Sequence, residues 1–222
     1  DKMGTSVLYN DLCNLGFVLF GYISGSVLYA RVFASLCGRD ILSESGDKNP
    51  GTANAFTYGG FWCGLGTLVF DLLKGFLPVY LFTRHGGEAG TFAAAVIVAA
   101  PVIGHAFPLF YGFRGGKGIA VSFGALAGLY PQLDGLLTLA FTFILFSTVL
   151  KITPHFHRTA VTYVTTLLLL IGSPGGAGAA PGFAVIAGVV LFRLLLSKEK
   201  PGRMEVSLLG RPVAFLRDRR RT

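Results

Sequence analysis

The chain has 222 residues, 52% of them hydrophobic and only 14% charged, a balance too apolar for an ordinary water-soluble domain. Its formal charge of +8 is concentrated in a C-terminal cluster with no aromatic-basic surface pattern, so nucleic acid is excluded as a partner. Cys13, Cys37 and Cys63 are spaced too widely for a CxxC or zinc pattern; they read as small packing residues, and neither a metal nor a cofactor is expected.

An integral membrane protein of all-α class remains. A hydrocarbon core about 30 Å thick needs roughly 20 apolar residues per helix. Apolar runs near 15–36, 62–83, 92–110, 119–131, 133–150, 159–171 and 182–197 predict about seven transmembrane helices, in a single domain over 1–222 with a basic tail at 198–222. The runs at 119–131 and 159–171 are short for a full crossing, so six crossings with one re-entrant segment is the alternative count. Asp1, Lys2 and Asp11 precede the first run without a basic n-region or a small-residue cleavage site, so no signal peptide is read.

Charge placement orients the chain. Under seven crossings, fourteen of the 19 Lys and Arg residues fall on one side, from Arg39 and Lys48 through Arg114, Lys117, Lys151 and Arg158 to the tail, and Lys2 and Arg84 fall on the other. Because basic residues collect in short cytoplasmic loops, the N-terminus is expected outside and the C-terminus in the cytoplasm, with the tail against anionic lipid head groups.

Two glycine-rich polar loops share that basic face. The first, "SESGDKNPGTANAFTYGG" at 43–60, offers Lys48, Asn49, Gly51, Thr52 and Asn54 as amide, hydroxyl and cationic groups for phosphate or hydroxyl oxygens; Asn-Pro-Gly is also a turn signal in itself. In the apolar run that follows, Asp71 and Lys74 stand i, i+3 and read as a structural pair. His105 lies near the end of the next run, either as a general base or as the holder of a loop carbonyl.

The second loop, "YGFRGGKG" at 111–118, places Arg114 and Lys117 among Gly115, Gly116 and Gly118, an expected phosphate cradle of backbone N–H groups beside a cation. It is not a nucleotide P-loop, which needs Gly at 111 and Ser or Thr at 118. His155 and His157 in "TPHFHRT" have no third ligand candidate nearby.

These residues carry a family resemblance. "GHAFPLFYGFRGGKGIA" closely resembles the G-H-x-x-P-x-F-x-x-F-[KR]-G-G-K-G-x-A motif of the bacterial acyl-phosphate:glycerol-3-phosphate acyltransferases (PlsY type), while "VFDLLKGFLPVYL" and "GYISGSVLYARV" are similar to that family's preceding segments. The similarity covers roughly the first 130 residues. It implies a seven-helix enzyme of the bacterial inner membrane, in phospholipid biosynthesis. Such an enzyme moves a fatty acyl group from acyl phosphate to the 1-hydroxyl of glycerol 3-phosphate, giving lysophosphatidic acid and phosphate.

Carried over by position, Lys117 with the backbone of Gly115, Gly116 and Gly118 would bind phosphate, His105 and Asn54 would complete the catalytic set, and Ser26 would assist from the first helix. The sequence departs from the family in two places. Thr57 stands where the first loop carries an arginine, with Lys48 as the replacement charge, and only Arg193 matches the third motif. The alternatives are a divergent member with another acceptor or no catalysis, and an anion transporter.

Overall fold

In the computed structural model, which describes residues 2–197, 202–209 and 211–212, the apolar runs form helices whose ends carry the two loops. Helix α1 (Lys2–Ser26) is separated from α2 (Tyr29–Leu36) by a break at Leu28, whose backbone is extended. Short helices α3 (Ile41–Glu44) and α4 (Thr52–Gly59) shape the first loop, followed by α5 (Phe61–Arg84) and α6 (Phe92–Ala106). The second loop leads into α7 (Ile119–Ala127), α8 (Asp134–Ile144), α9 (His155–Gly172) and α10 (Ala180–Leu196).

Among the described residues, the segments Val7–Leu36, Phe61–Arg84 and Phe92–Tyr111 are long and apolar enough to cross a membrane, and Asp134–Val149 and Ala180–Leu196 are shorter apolar helices. Their outer faces fit lipid: Val69, Leu73, Leu77 and Leu81, four residues apart along α5, are all exposed. The run at 119–131 is short for a crossing. With 9 residues, α7 rises only about 14 Å, half the hydrocarbon core, and Val121, Ala125 and Leu126 are fully buried.

Close backbone seams position these helices. A Cβ on Gly25 would overlap the Pro101 carbonyl, and one on Gly104 the Tyr22 carbonyl, which draws α1 against α6. Gly75 and Gly124 make the same kind of seam between α5 and α7, where side chains would strike the backbone at Val121 and Leu72. Small residues serve this purpose in membrane helices, where dispersion rather than expulsion of water drives association. The core beside the seams holds Val79, Val98, Leu126, Leu139 and Ile186, with Tyr163 stacked on Phe183 at 5.6 Å between ring centroids.

The all-α expectation needs one correction. After a π-helical turn at Leu145–Val149, residues Leu150–Thr153 form strand β1, which pairs antiparallel with β2 (Glu205–Leu208) in the register Leu150↔Leu208 to Thr153↔Glu205. Strand β3 (Arg211–Pro212) extends the sheet in the order β1-β2-β3. The segments "LKIT" and "EVSL" alternate polar and apolar residues at the strand period, and Ile152 turns inward to burial. Part of the expected basic tail is therefore sheet, while 198–201, 210 and 213–222 lie outside the described residues.

Candidate active site

The first loop is organised around Asp47. Its Oδ1 accepts from the Asn54 amide at 2.7 Å and from the Asn49 backbone N–H at 3.2 Å, and Asn54 also donates to the Asn49 carbonyl at 2.9 Å. Its Oδ2 lies 3.3 Å from Lys117 Nζ in the second loop. Burial pushes the Asp47 carboxyl up, but the Asn54 hydrogen bond and the Lys117 charge outweigh it and hold the group below the usual carboxylate range.

The second loop doubles back on the end of α6. Gly116 N–H donates to the His105 carbonyl at 3.1 Å and Gly115 N–H to the Ala106 carbonyl at 3.2 Å. Their carbonyls accept from Arg193 of α10, through Nη2 to Gly115 and through Nε to Gly116 at 3.4 Å. The cradle expected from these two N–H groups is thus corrected: both are spent inside the protein. The glycines serve a steric need, since a Cβ at Gly116 would overlap the His105 ring and one at Gly115 the His105 carbonyl. Gly118, at φ 83°, takes the left-handed turn that starts α7.

Beneath the loops lies a buried polar cluster. Lys74 Nζ, 2.7 Å from Asp71 Oδ1, also contacts the Val27 carbonyl at 2.6 Å and His105 Nδ1 at 2.9 Å. The break between α1 and α2 frees that carbonyl, because Arg31 N–H turns to Leu28 instead. Thr52 Oγ1 donates to Asp71 Oδ2 at 3.3 Å. An ammonium only donates, so Nδ1 of His105 accepts and Nε2 carries the ring proton. In that tautomer His105 offers a hydrogen-bond donor through Nε2.

These elements enclose a cavity of about 430 Å³. Its polar side is formed by Asn49, Gly51, Thr52, Asp71, His105, Lys117 and Gly118, and its apolar side by Phe56, Leu68, Ile119, Phe123 and Phe143. The N-terminal residues of α4 and α7 both line it without side-chain caps, adding positive potential.

Other expected residues fall elsewhere. Arg114 and Lys48, the latter expected to replace the first-loop arginine, are exposed and outside the cavity wall, and Thr57 is exposed as well. Asn54 braces its own loop. Ser26 is buried, with Oγ donating to the Tyr22 carbonyl at 2.8 Å and accepting from Leu109 N–H at 3.2 Å, which fastens α1 to the segment after α6.

His155 and Arg158 line the cavity unforeseen. The two histidines of the H-x-H pair diverge: His155 faces the cavity and bonds Thr159 Oγ1 at 2.7 Å, whereas His157 Nε2 bonds the Gly202 carbonyl at 2.9 Å. The available signal was Pro154 as a helix start, which sets residues 155 and 158 on one face.

The family model described as Glycerol-3-phosphate acyltransferase matches residues 15–202, most of the helical body. The chain belongs to the glycerol-3-phosphate acyltransferase family. The glycerol-3-phosphate acyltransferase of Actinobacillus pleuropneumoniae serotype 5b (strain L20) is 42% identical over 134 residues, 58% of this chain and 66% of that one. The Escherichia fergusonii protein of the same name is 40% identical over 122 residues, 55% and 58% of the respective chains. The match thus spans about three fifths to two thirds of these relatives' length.

A crystal structure of PlsY, an integral membrane glycerol 3-phosphate acyltransferase in its glycerol 3-phosphate form, superposes with a TM-score of 0.69 at 25% identity, covering 82% of this chain and 88% of that one. The lysophosphatidic acid form gives 0.66 at 24% identity, a likeness of fold. The structural likeness covers 82% of this chain, against the 58% aligned with the Actinobacillus relative.

Proposed function

We propose that the chain transfers a fatty acyl group from acyl phosphate to the 1-hydroxyl of glycerol 3-phosphate, releasing lysophosphatidic acid and inorganic phosphate. The enzyme works in the bacterial inner membrane as a unit of about seven crossings, N-terminus outside, with its site and C-terminus on the cytoplasmic side. One observation carries this reading: a single cavity joins Lys117 and two helix N-termini to a wall of Phe56, Leu68, Phe123 and Phe143. A phosphate-bearing acyl donor needs both kinds of surface at once, and a free anion needs only the first. That family relatives were solved in glycerol 3-phosphate and lysophosphatidic acid forms supports the same substrates.

In this reading Lys117 and the N-terminus of α7 neutralise the phosphate of the donor and the oxyanion that develops on the acyl carbonyl. The acceptor oxygen bonds to the acyl carbon and the carbon–oxygen bond of the mixed anhydride breaks. Since His105 Nδ1 is engaged by Lys74, the hydroxyl proton passes to the departing phosphate, and His105 contributes a donor through Nε2. The test is acyl transfer by the purified full chain in detergent with palmitoyl phosphate and labelled glycerol 3-phosphate. Labelled lysophosphatidic acid is expected; its absence with well-folded protein overturns the reading.

A further inference from the structure

The cations at this site are unequal. Lys74 is neutralised by Asp71, Lys117 is paired with Asp47, and Arg193 is spent on the carbonyls of Gly115 and Gly116. Arg158 is different. It lines the cavity from the first turn of α9, its Nε is buried without a hydrogen-bond partner, and among the described residues no carboxylate lies within 4.0 Å of it. With Lys74 and Lys117 each in an ion pair with an aspartate, Arg158 adds positive charge at the cavity wall that no described carboxylate offsets. A buried guanidinium N–H without an acceptor is costly to the fold, and a ligand anion removes that cost.

We propose that Arg158 is a second phosphate-binding residue of the cavity, taking a monosubstituted phosphate group opposite Lys117. The inference rests on the acyltransferase reading, in which two phosphate-bearing substrates must meet and one half-neutralised lysine faces both dianions. A planar guanidinium grips a phosphate through two parallel N–H donors, which a lysine does not. His155, one turn earlier on the same wall and oriented by Thr159, keeps that side polar. The phosphate held belongs either to the acyl donor or to the glycerol acceptor, and kinetics separates the two.

The experiment titrates inorganic phosphate into the purified full chain by calorimetry, comparing wild type with Arg158→Gln, Arg158→Lys and Lys151→Gln, the last an exposed cation of β1 outside the cavity wall. Arg158→Gln is expected to weaken phosphate binding at least about tenfold, Arg158→Lys to lie between, and Lys151→Gln to match wild type. In turnover, Arg158→Gln should raise KM for one phosphate substrate about tenfold with kcat within about threefold, and the substrate affected identifies the phosphate held. Should Arg158→Gln not fold, the intermediate affinity of Arg158→Lys carries the same expectation. Unchanged phosphate affinity and unchanged KM for both substrates in the Arg158 variants overturn the proposal, as does a wild-type chain that binds no phosphate. A wild type that binds phosphate through Arg158 and makes no lysophosphatidic acid overturns the reaction assignment and leaves the anion site standing.

Discussion

Lys117 Nζ stands 3.3 Å from Asp47 Oδ2, a contact across 70 residues that joins the two glycine-rich loops over one cavity. The pair does two jobs: it fixes where the cation stands, and it leaves the ammonium buried at the cavity wall. Lys117→Met keeps the length of the side chain and removes the charge. It should lower kcat/KM about a hundredfold or more in the acyl-transfer assay, with the thermal transition largely retained. A loss below about tenfold would place the reaction's electrostatic stabilisation elsewhere.

Asp47 gives a pH signature. Its carboxyl is held below the ordinary range in the folded protein, so the folded state binds a proton less readily than the unfolded chain, whose aspartates titrate near pH 4. The stabilisation is present above that value and disappears as pH falls through the folded-state pKa. The Tm gap between wild type and Asp47→Asn in detergent should be open at pH 7 and close on acidification below about pH 4. A gap independent of pH would remove the titration argument.

Gly116 and Gly112 separate two uses of glycine. A Cβ at Gly116 meets the His105 ring, whereas Gly112 faces open space at φ 58°. Gly116→Ala should displace the imidazole and lower kcat about a hundredfold. Gly112→Ala should cost only about 1 to 2 kcal/mol of stability with activity per folded molecule retained. Equal activity losses would mean that the loop fails as a whole.

Ser26→Ala removes a hydroxyl that bridges the Tyr22 carbonyl and the Leu109 N–H. About 1 kcal/mol of stability should be lost, with both KM values within about twofold of wild type. A selective rise in one KM would return Ser26 to the binding site.

Lys74→Met leaves Asp71 as an uncompensated buried charge and should cost about 3 to 5 kcal/mol. Adding Asp71→Asn to that variant should recover much of the loss, because the charge then vanishes with its partner. No recovery would mean that the lysine acts through Val27 and His105 rather than through Asp71.

Much of this is legible in the sequence. The apolar runs, the one-sided basic loops and the spacing around Lys117 are local patterns, and the structure places Asn49, Gly51, Thr52, His105, Lys117 and Gly118 on one cavity. What failed is non-local. No pattern tells that the N–H groups of Gly115 and Gly116 are spent on residues 105 and 106, or that Ser26 is consumed by Leu109. Arg158 read as an orienting charge because its position depends on α9 starting directly after a strand whose partner lies some fifty residues downstream.

The glycine seam between α5 and α7 has a mechanical consequence. Where Gly75 and Gly124 bring two backbones into contact, no layer of side chains remains on which one helix can slide. Lys117, two residues before α7, and the Asp71–Lys74 pair of α5 therefore move as one stiff plate. Phe143, His155 and Arg158 stand on a wall packed through side chains and edged by the small sheet. Under the acyltransferase reading, room for the acyl chain is expected to come from that side-chain-packed wall, while the glycine seam keeps the charges of Lys117 and the Asp71–Lys74 pair in place.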